Sequence, residues 1–132
     1  MSLQGKKVLV VGTGKSGIAA TELLRANNIV LFDGNKELDT EAPYEKGPAI
    51  REVPLILGDM TNAQMDEFDV AVLSPGVPTD IPMVNSLRDK GVKIWGEIEL
   101  AYTFGAGRII AITGTNGKTT TTALTGEIMK NY

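Results

Sequence analysis

The chain has 132 residues, of which 42% are hydrophobic and 22% charged, with a formal net charge of -3. That profile belongs to an ordinary globular protein; it argues against disorder, against a basic nucleic-acid footprint and against electrostatic attachment to an anionic membrane. Cysteine and histidine are both absent, which removes disulfides, thiolate zinc sites, a cysteine nucleophile and any serine–histidine pair, so chemistry has to rest on lysine, arginine, carboxylates, hydroxyls, backbone dipoles or a bound ion.

Lys7–Val11 reads as a buried strand. Its apolar run, Val8–Val11, ends in glycine and is too short for a signal-peptide core or a membrane span, so a cytoplasmic protein is the expectation. Gly12–Gly17 reads as a tight turn and Ser16–Ala26 as a helix, with Gly17, Ala20, Leu23 and Leu24 on its inward face. Ile29–Phe32 is a second strand ending at Asp33. Residues 35–48 are polar, contain two prolines and read as a loop with at most a short helix. Val53–Leu57 and Phe68–Leu73 are the third and fourth strands, the latter stopped by Ser74-Pro75-Gly76. Pro82–Lys90 reads as a helix closed by Gly91, and Val92–Trp95 as a fifth strand.

Gly96–Phe104 is a candidate linker helix and Gly105-Ala106-Gly107 a hinge-like break. Arg108–Thr113 reads as a new buried strand, followed by a second glycine loop and a helix over Lys118–Lys130. Strand and helix in alternation predict an α/β fold with right-handed crossovers: a Rossmann-like parallel five-stranded sheet with helices, followed by the first strand–P-loop–helix unit of a central ATPase domain. The boundary is expected near residues 93–96, with 1–93 as the first domain and 94–132 as linker and incomplete second domain. A P-loop domain needs further strands, one carrying a metal-binding carboxylate; none follows, so the chain reads as the N-terminal part of a longer enzyme.

Gly12-Thr13-Gly14-Lys15-Ser16-Gly17 fits G-x-G-x-x-G between a strand and a helix. In that pattern the first glycine permits the turn, the second lets a diphosphate approach the backbone, and the third lets the helix pack on the sheet. Asp33, before Gly34 and Asn35, lies where such folds place a ribose-binding acid. Ser74–Gly76 ends the fourth strand on the same edge, where open parallel sheets bind ligands. The bland alternatives are a βα turn that binds nothing, a solvated Lys15, and strand-end turns at Asp33 and Ser74-Pro75-Gly76.

The second loop, Gly114-Thr115-Asn116-Gly117-Lys118-Thr119-Thr120, also sits between a predicted strand and a helix. Its backbone N–H groups can wrap phosphate oxygens, Lys118 can reach β- and γ-phosphates, and Thr119 holds the position that usually meets Mg²⁺. The strict P-loop pattern would place glycine at position 112, which is Ile112. Threonines at a helix start suggest hydroxyls used for a ligand or a cap, since threonine is a poor helix former.

The string from Ala111 to Thr120 resembles the ATP loop of the Mur ligases of peptidoglycan synthesis and the related folylpolyglutamate synthases, whose loop carries this shifted glycine. The first loop, Leu73-Ser74-Pro75-Gly76-Val77 and Gly96-Glu97-Ile98-Glu99-Leu100 are similar to the branch of that family that acts on UDP-N-acetylmuramoyl-L-alanine and D-glutamate. The resemblance covers essentially the whole chain. It implies that Gly14, Lys15, Ser16 and Gly17 meet the diphosphate of UDP, that Asp33, Gly34 and Asn35 meet its uracil or ribose, and that Ser74, Pro75 and Gly76 contact the same end. Asn35 stands where some relatives carry arginine. It implies ATP on Gly114–Thr120, Lys118 as the catalytic cation and Mg²⁺ on Thr119. The reaction implied is amide ligation: ATP phosphorylates a carboxylate, and the D-glutamate amine displaces phosphate from the acyl phosphate. Further Mg²⁺-binding acids, a modified lysine and the D-glutamate-binding domain would lie elsewhere, so this piece alone is expected to be inactive. No oligomeric state is fixed, and a monomer is the default. An NAD-binding regulatory module with a chance G-K-T, or a folate-directed ligase, are the competing readings.

Overall fold

The computed structural model describes residues 2–132. Five strands, β1 (Lys7–Val11), β2 (Asn28–Asp33), β3 (Leu55–Leu57), β4 (Val70–Leu73) and β5 (Lys93–Gly96), form one all-parallel sheet in the order β3-β2-β1-β4-β5. The helices are α1 (Lys15–Leu24), α2 (Ala42–Lys46), α3 (Asn62–Met65), α4 (Pro82–Asp89), α5 (Glu97–Phe104) and α6 (Lys118–Lys130), with a 3-10 turn at Pro48–Ile50.

Strand alternation sorts the core onto two faces. Val8, Val10, Leu31, Val70 and Val72 pack under Ile18 and Leu24 of α1, whereas Leu9, Val11, Val30, Phe32 and Leu73 pack against Met65, Val84 and Leu87 from α3 and α4. A sheet covered on both faces produces these near-continuous apolar strands, and each fully buried Val or Leu contributes about 1.5–3 kcal/mol over an exposed one. On α1 the inward face is Gly17, Ile18, Ala20, Thr21 and Leu24, whereas Leu23 is 49% exposed. The 100° helical step turns Leu23 away once its neighbour Leu24 faces the sheet.

Pro82 opens α4 at its first turn, and Gly91, at φ +82°, follows the helix end, the proline-first, glycine-last arrangement of helix termini. α3 is held by a reciprocal cap: the Gln64 N–H donates to Thr61 Oγ1, and the Thr61 N–H donates to Gln64 Oε1. The expected strand at Arg108–Thr113 does not form. Residues 108–113 carry no regular structure, and Ile109 and Ile110 are 63% and 59% exposed. A strand is completed by a neighbour, and among the described residues no strand pairs with this segment. The loop and helix after it are present, but α6 buries none of its residues.

β5 pairs with β4 through Gly96, three residues beyond a division at 93. The Glu99 carboxylate then reaches back to the Gly96 N–H at 2.9 Å to start α5. Leu100 is 2% exposed and sits in the same core as Val8 and Ile18, so α5 docks on the sheet through that side chain.

Candidate nucleotide site at the carboxyl edge of the sheet

The registers Val11↔Phe32 and Val11↔Leu73 bring the ends of β2, β1 and β4 level. Gly12, Asp33 and Ser74 therefore stand side by side at the point where the strand order reverses, the usual ligand crevice of an open parallel sheet. Gly12 adopts φ +107°, and a Cβ there would lie 2.7 Å from Ser74 Oγ. Gly17 is tighter still, since a Cβ would lie 1.8 Å from the Gly12 carbonyl oxygen. The turn demands both glycines. Gly14 differs: its φ is -72°, and a Cβ would meet nothing within 4 Å. No contact within the fold asks for glycine there, and the space above it is open.

Gly14 is the N-cap of α1 without a side-chain cap, and the first helical bond runs from the Ile18 N–H to the Gly14 carbonyl at 3.0 Å. The N–H groups of Lys15, Ser16 and Gly17 have no intrahelical acceptor, an arrangement that can receive an anion. Lys15 occupies the first helical residue with no acid in the first turn. A cation there opposes the helix dipole by about 0.3–1 kcal/mol, a cost that a bound anion reverses.

Asp33 is drawn into the architecture. Its Oδ2 accepts the Thr13 N–H at 3.1 Å and the Thr13 hydroxyl at 2.5 Å, and its Oδ1 accepts the Asn35 N–H at 2.9 Å. Partial burial pushes this carboxyl upward, but the Thr13 hydroxyl, the N–H groups of Asn35 and Thr13 and the Lys46 charge outweigh it, leaving the pKa below the ordinary 3.8. Thr13, an unspecified position of the glycine motif, thus fixes the loop to β2; a hydroxyl beside the first glycine and an acid after the next strand were the available signal. A depressed carboxylate stabilises the fold above its unfolded pKa, and that stability is lost as pH falls through the folded value. Asp33→Asn is therefore expected to lower the melting temperature at pH 7 and to flatten its decline between about pH 5 and pH 2, read by thermal melts across that range. Asp69 is also depressed, first by the Lys7 N–H, so part of the acid limb should survive. An unchanged acid limb would remove Asp33 from it.

Three clefts open around this edge. One of about 640 Å³ is lined by Phe32, Met60 and Met65 together with Asp33, Gly34 and Gly76, apolar side chains beside polar groups, a lining that suits a planar ring. A second, of about 630 Å³, runs past Gly14, Lys15 and Lys46. A third, of about 1000 Å³, follows Ser74 and Pro75 to Trp95 and Glu97. The sequence did not single out the methionines, Lys46 and Trp95 as cleft residues because separate elements bring them there. Asn35 Oδ1 accepts the Glu37 N–H at 3.0 Å, shaping its own turn. Ser74 Oγ is buried without a hydrogen-bond partner, against Gly12 and Gly17.

The residues lining these three clefts all precede residue 100, so the structure does not join the second loop to them. In that loop Gly114 has φ +153° and Gly117, the N-cap of α6, has φ +76°. Lys118 opens α6, again with no acid in the first turn, and its Nζ donates to the Gly114 carbonyl at 2.6 Å. The expected use of threonine hydroxyls changes for Thr122, whose hydroxyl donates to the Lys118 carbonyl, four residues back along its own helix. The hydroxyl satisfies itself on the helix it belongs to.

Residues 6–96 match the sequence model of the family described as Mur ligase MurD-like, N-terminal domain. The chain belongs to this family. Two curated MurD-like relatives, both called UDP-N-acetylmuramoylalanine--D-glutamate ligase, come from Lachnoclostridium phytofermentans, at 52% identity over 100% of this chain and 30% of the relative, and Lachnospira eligens, at 48% over the same shares. The chain thus spans about 30% of the length of these relatives. The MurD-like fold is shared with solved structures. A pseudomurein peptide ligase type C from Methanothermus fervidus aligns at TM-score 0.57 and 23% identity, covering 96% of this chain and 26% of that one. UDP-N-acetylmuramate-alanine ligase MurC from Thermotoga maritima aligns at TM-score 0.53 and 24% identity, covering 95% and 29%. Among the described residues of this MurD-like chain, no helix is long and apolar enough to cross a membrane.

Proposed function

We propose that this chain is the UDP-binding N-terminal part of an ATP-dependent ligase that joins D-glutamate to UDP-N-acetylmuramoyl-L-alanine, followed by the start of its ATP-binding central domain. The observation that carries the reading is the whole-chain identity to relatives named for that reaction; the level ends of β1, β2 and β4 beside an uncapped helix support it. The diphosphate lies over Gly14 against the N–H groups of Lys15, Ser16 and Gly17, and the uridine occupies the cleft lined by Asp33 and Gly34. Asn35 shapes the turn that receives it, and Ser74, Pro75 and Gly76 close the same edge.

The Gly114–Thr120 loop is the ATP site of this reading. Its residues suit phosphate: Lys118 already curls over the loop onto a backbone carbonyl, a position from which an ammonium can exchange that acceptor for a phosphate oxygen. ATP supplies the phosphoryl group that activates a carboxylate, with Mg²⁺ neutralising its charge. Within this chain Lys118 and the loop N–H groups of Gly117 to Thr120 orient the phosphates, and the Thr119 hydroxyl stands as one ligand for the metal. Positioning and charge neutralisation suffice for such transfer, and neither needs histidine or cysteine.

Calorimetric titration of the chain with UDP and NAD tests the first site. UDP should bind with a Kd of about 10⁻⁴ to 10⁻³ M, the weak range expected when contacts beyond the nucleotide are few, and NAD should bind more weakly. Tight NAD binding with no response to UDP would sink this assignment.

A further inference from the structure

The cleft of about 1000 Å³ has in its lining a tryptophan that the nucleotide reading does not use. Trp95 lies on β5 opposite Val72, half-buried, with one side packed on the core that contains Leu100. It lines the cleft of about 1000 Å³ together with Ser74, Pro75, Arg88, Glu97 and Ile98. Ser74 joins this cleft to the glycine turn, because its Oγ lies 3.0 Å from the position of a Cβ on Gly17, in the first turn of α1. Val77 lines both this cleft and the methionine-lined one. The two clefts therefore meet at Val77, one at the ends of β1 and β2 and the other at the ends of β4 and β5.

Charge separates their uses. The cleft beside Gly14 carries Lys15 and Lys46 with Glu22 near the helix N-terminus. The Trp95 cleft balances Arg88 and Lys93 against Glu97 and Glu99, so it does not select an anion. Arg88 is fixed by donating to the Thr79 carbonyl at 3.1 Å and to Asn85 Oδ1 at 2.9 Å. An aromatic plane edged by held donors and acceptors suits a neutral ring with an apolar face and a polar rim. A pyranose has that form: C–H bonds on its faces and hydroxyls around its edge.

We infer that Trp95 is the platform for a neutral pyranose carried on the distal phosphate of the bound nucleotide, lying over β4 and β5. This rests on the nucleotide reading above and adds the direction in which the ligand leaves the diphosphate. Trp95 is the single tryptophan of the chain, so its emission reports on this cleft alone.

The test titrates the 132-residue chain with UDP and with UDP-N-acetylglucosamine, by calorimetry and by tryptophan fluorescence. The sugar nucleotide should bind about three- to tenfold more tightly than UDP, the scale of one aromatic contact, and should change Trp95 emission where UDP alone does not. Trp95→Leu should abolish that advantage while leaving UDP affinity within about twofold, and Trp95→Phe should keep most of it. Equal emission with both ligands at saturation, or a sugar advantage that survives Trp95→Leu, would overturn the inference. Absence of UDP binding at millimolar concentration would instead remove the nucleotide reading, and this inference with it.

Discussion

Gly17→Ala is expected to lower the melting temperature by roughly 10 °C or more, with UDP binding lost alongside. The added Cβ would lie 1.8 Å from the Gly12 carbonyl oxygen. That neighbour is backbone, and Gly12 is itself held by its N–H donating to the Phe32 carbonyl at 2.7 Å. Overpacking against a fixed neighbour costs about 1–3 kcal/mol and sometimes more, and for a domain of this size each kcal/mol moves the midpoint by roughly 4–8 °C. Gly14→Ala should behave in the opposite way. Its φ is negative and its Cβ would enter open space, so the melting temperature should stay within about 3 °C of the parent. The methyl would nonetheless occupy the position proposed for the diphosphate, and UDP affinity should fall about tenfold or more, since lost close approach costs at least 1.4 kcal/mol. Thermal melts and UDP titrations of the two variants give the comparison. A Gly17→Ala chain that melts like its parent would contradict the turn geometry. A Gly14→Ala chain that binds UDP unchanged would move the diphosphate elsewhere.

Lys118→Ala is expected to reduce turnover of the complete ligase by at least about 10²–10³, the usual loss when a preorganised charge is removed from a transition state. Affinity for the UDP substrate should stay within about twofold, because the clefts of the first site contain no residue of the second loop. Stability offers an independent check. Lys118 is exposed, its ammonium donates to a loop carbonyl, and it stands at a helix start where its charge is unfavourable. Removing it should change stability by no more than about 0.5 kcal/mol, and in the stabilising direction if at all. Unchanged turnover in the variant would take Lys118 out of the mechanism.

The elements that sequence reading placed well are those whose signals are local. Val8–Val11 is apolar throughout and is followed by a glycine that the turn requires, and Lys118–Lys130 follows a glycine loop and contains no proline. The glycine turn, Asp33 and Ser74 do share one edge, because strand order follows from right-handed crossovers. Residues 108–113 misled for the reason that apolar β-branched residues signal burial without naming the partner that buries them. α3 was missed although Thr61-Asn62-Ala63-Gln64 spells a capping box; four residues make too little periodicity to register. The role of Asp33 was half legible. Its position could be inferred, but its bonds to Thr13 depend on two strand ends meeting at one height. Phe32 and Trp95 read only as strand residues and Met60 and Met65 carried no reading; their place in the clefts emerges only from where α3, α4 and α5 leave gaps.

The seating of Leu100 also decides where this chain can bend. A helix tied into the core by its fourth residue turns with the sheet, so α5 cannot serve as the flexible joint. Backbone freedom begins after Phe104, at Gly105-Ala106-Gly107, where Gly107 has open space around its Cα. The eight residues of α5 make a rigid arm of about 12 Å. Any swing of the Gly114–Thr120 loop toward the carboxyl edge of the sheet is then levered from the far tip of that arm. A modest change of angle at Gly105–Gly107 becomes a displacement of several ångströms at Lys118, and the distance between the two glycine turns is set by three small residues outside both.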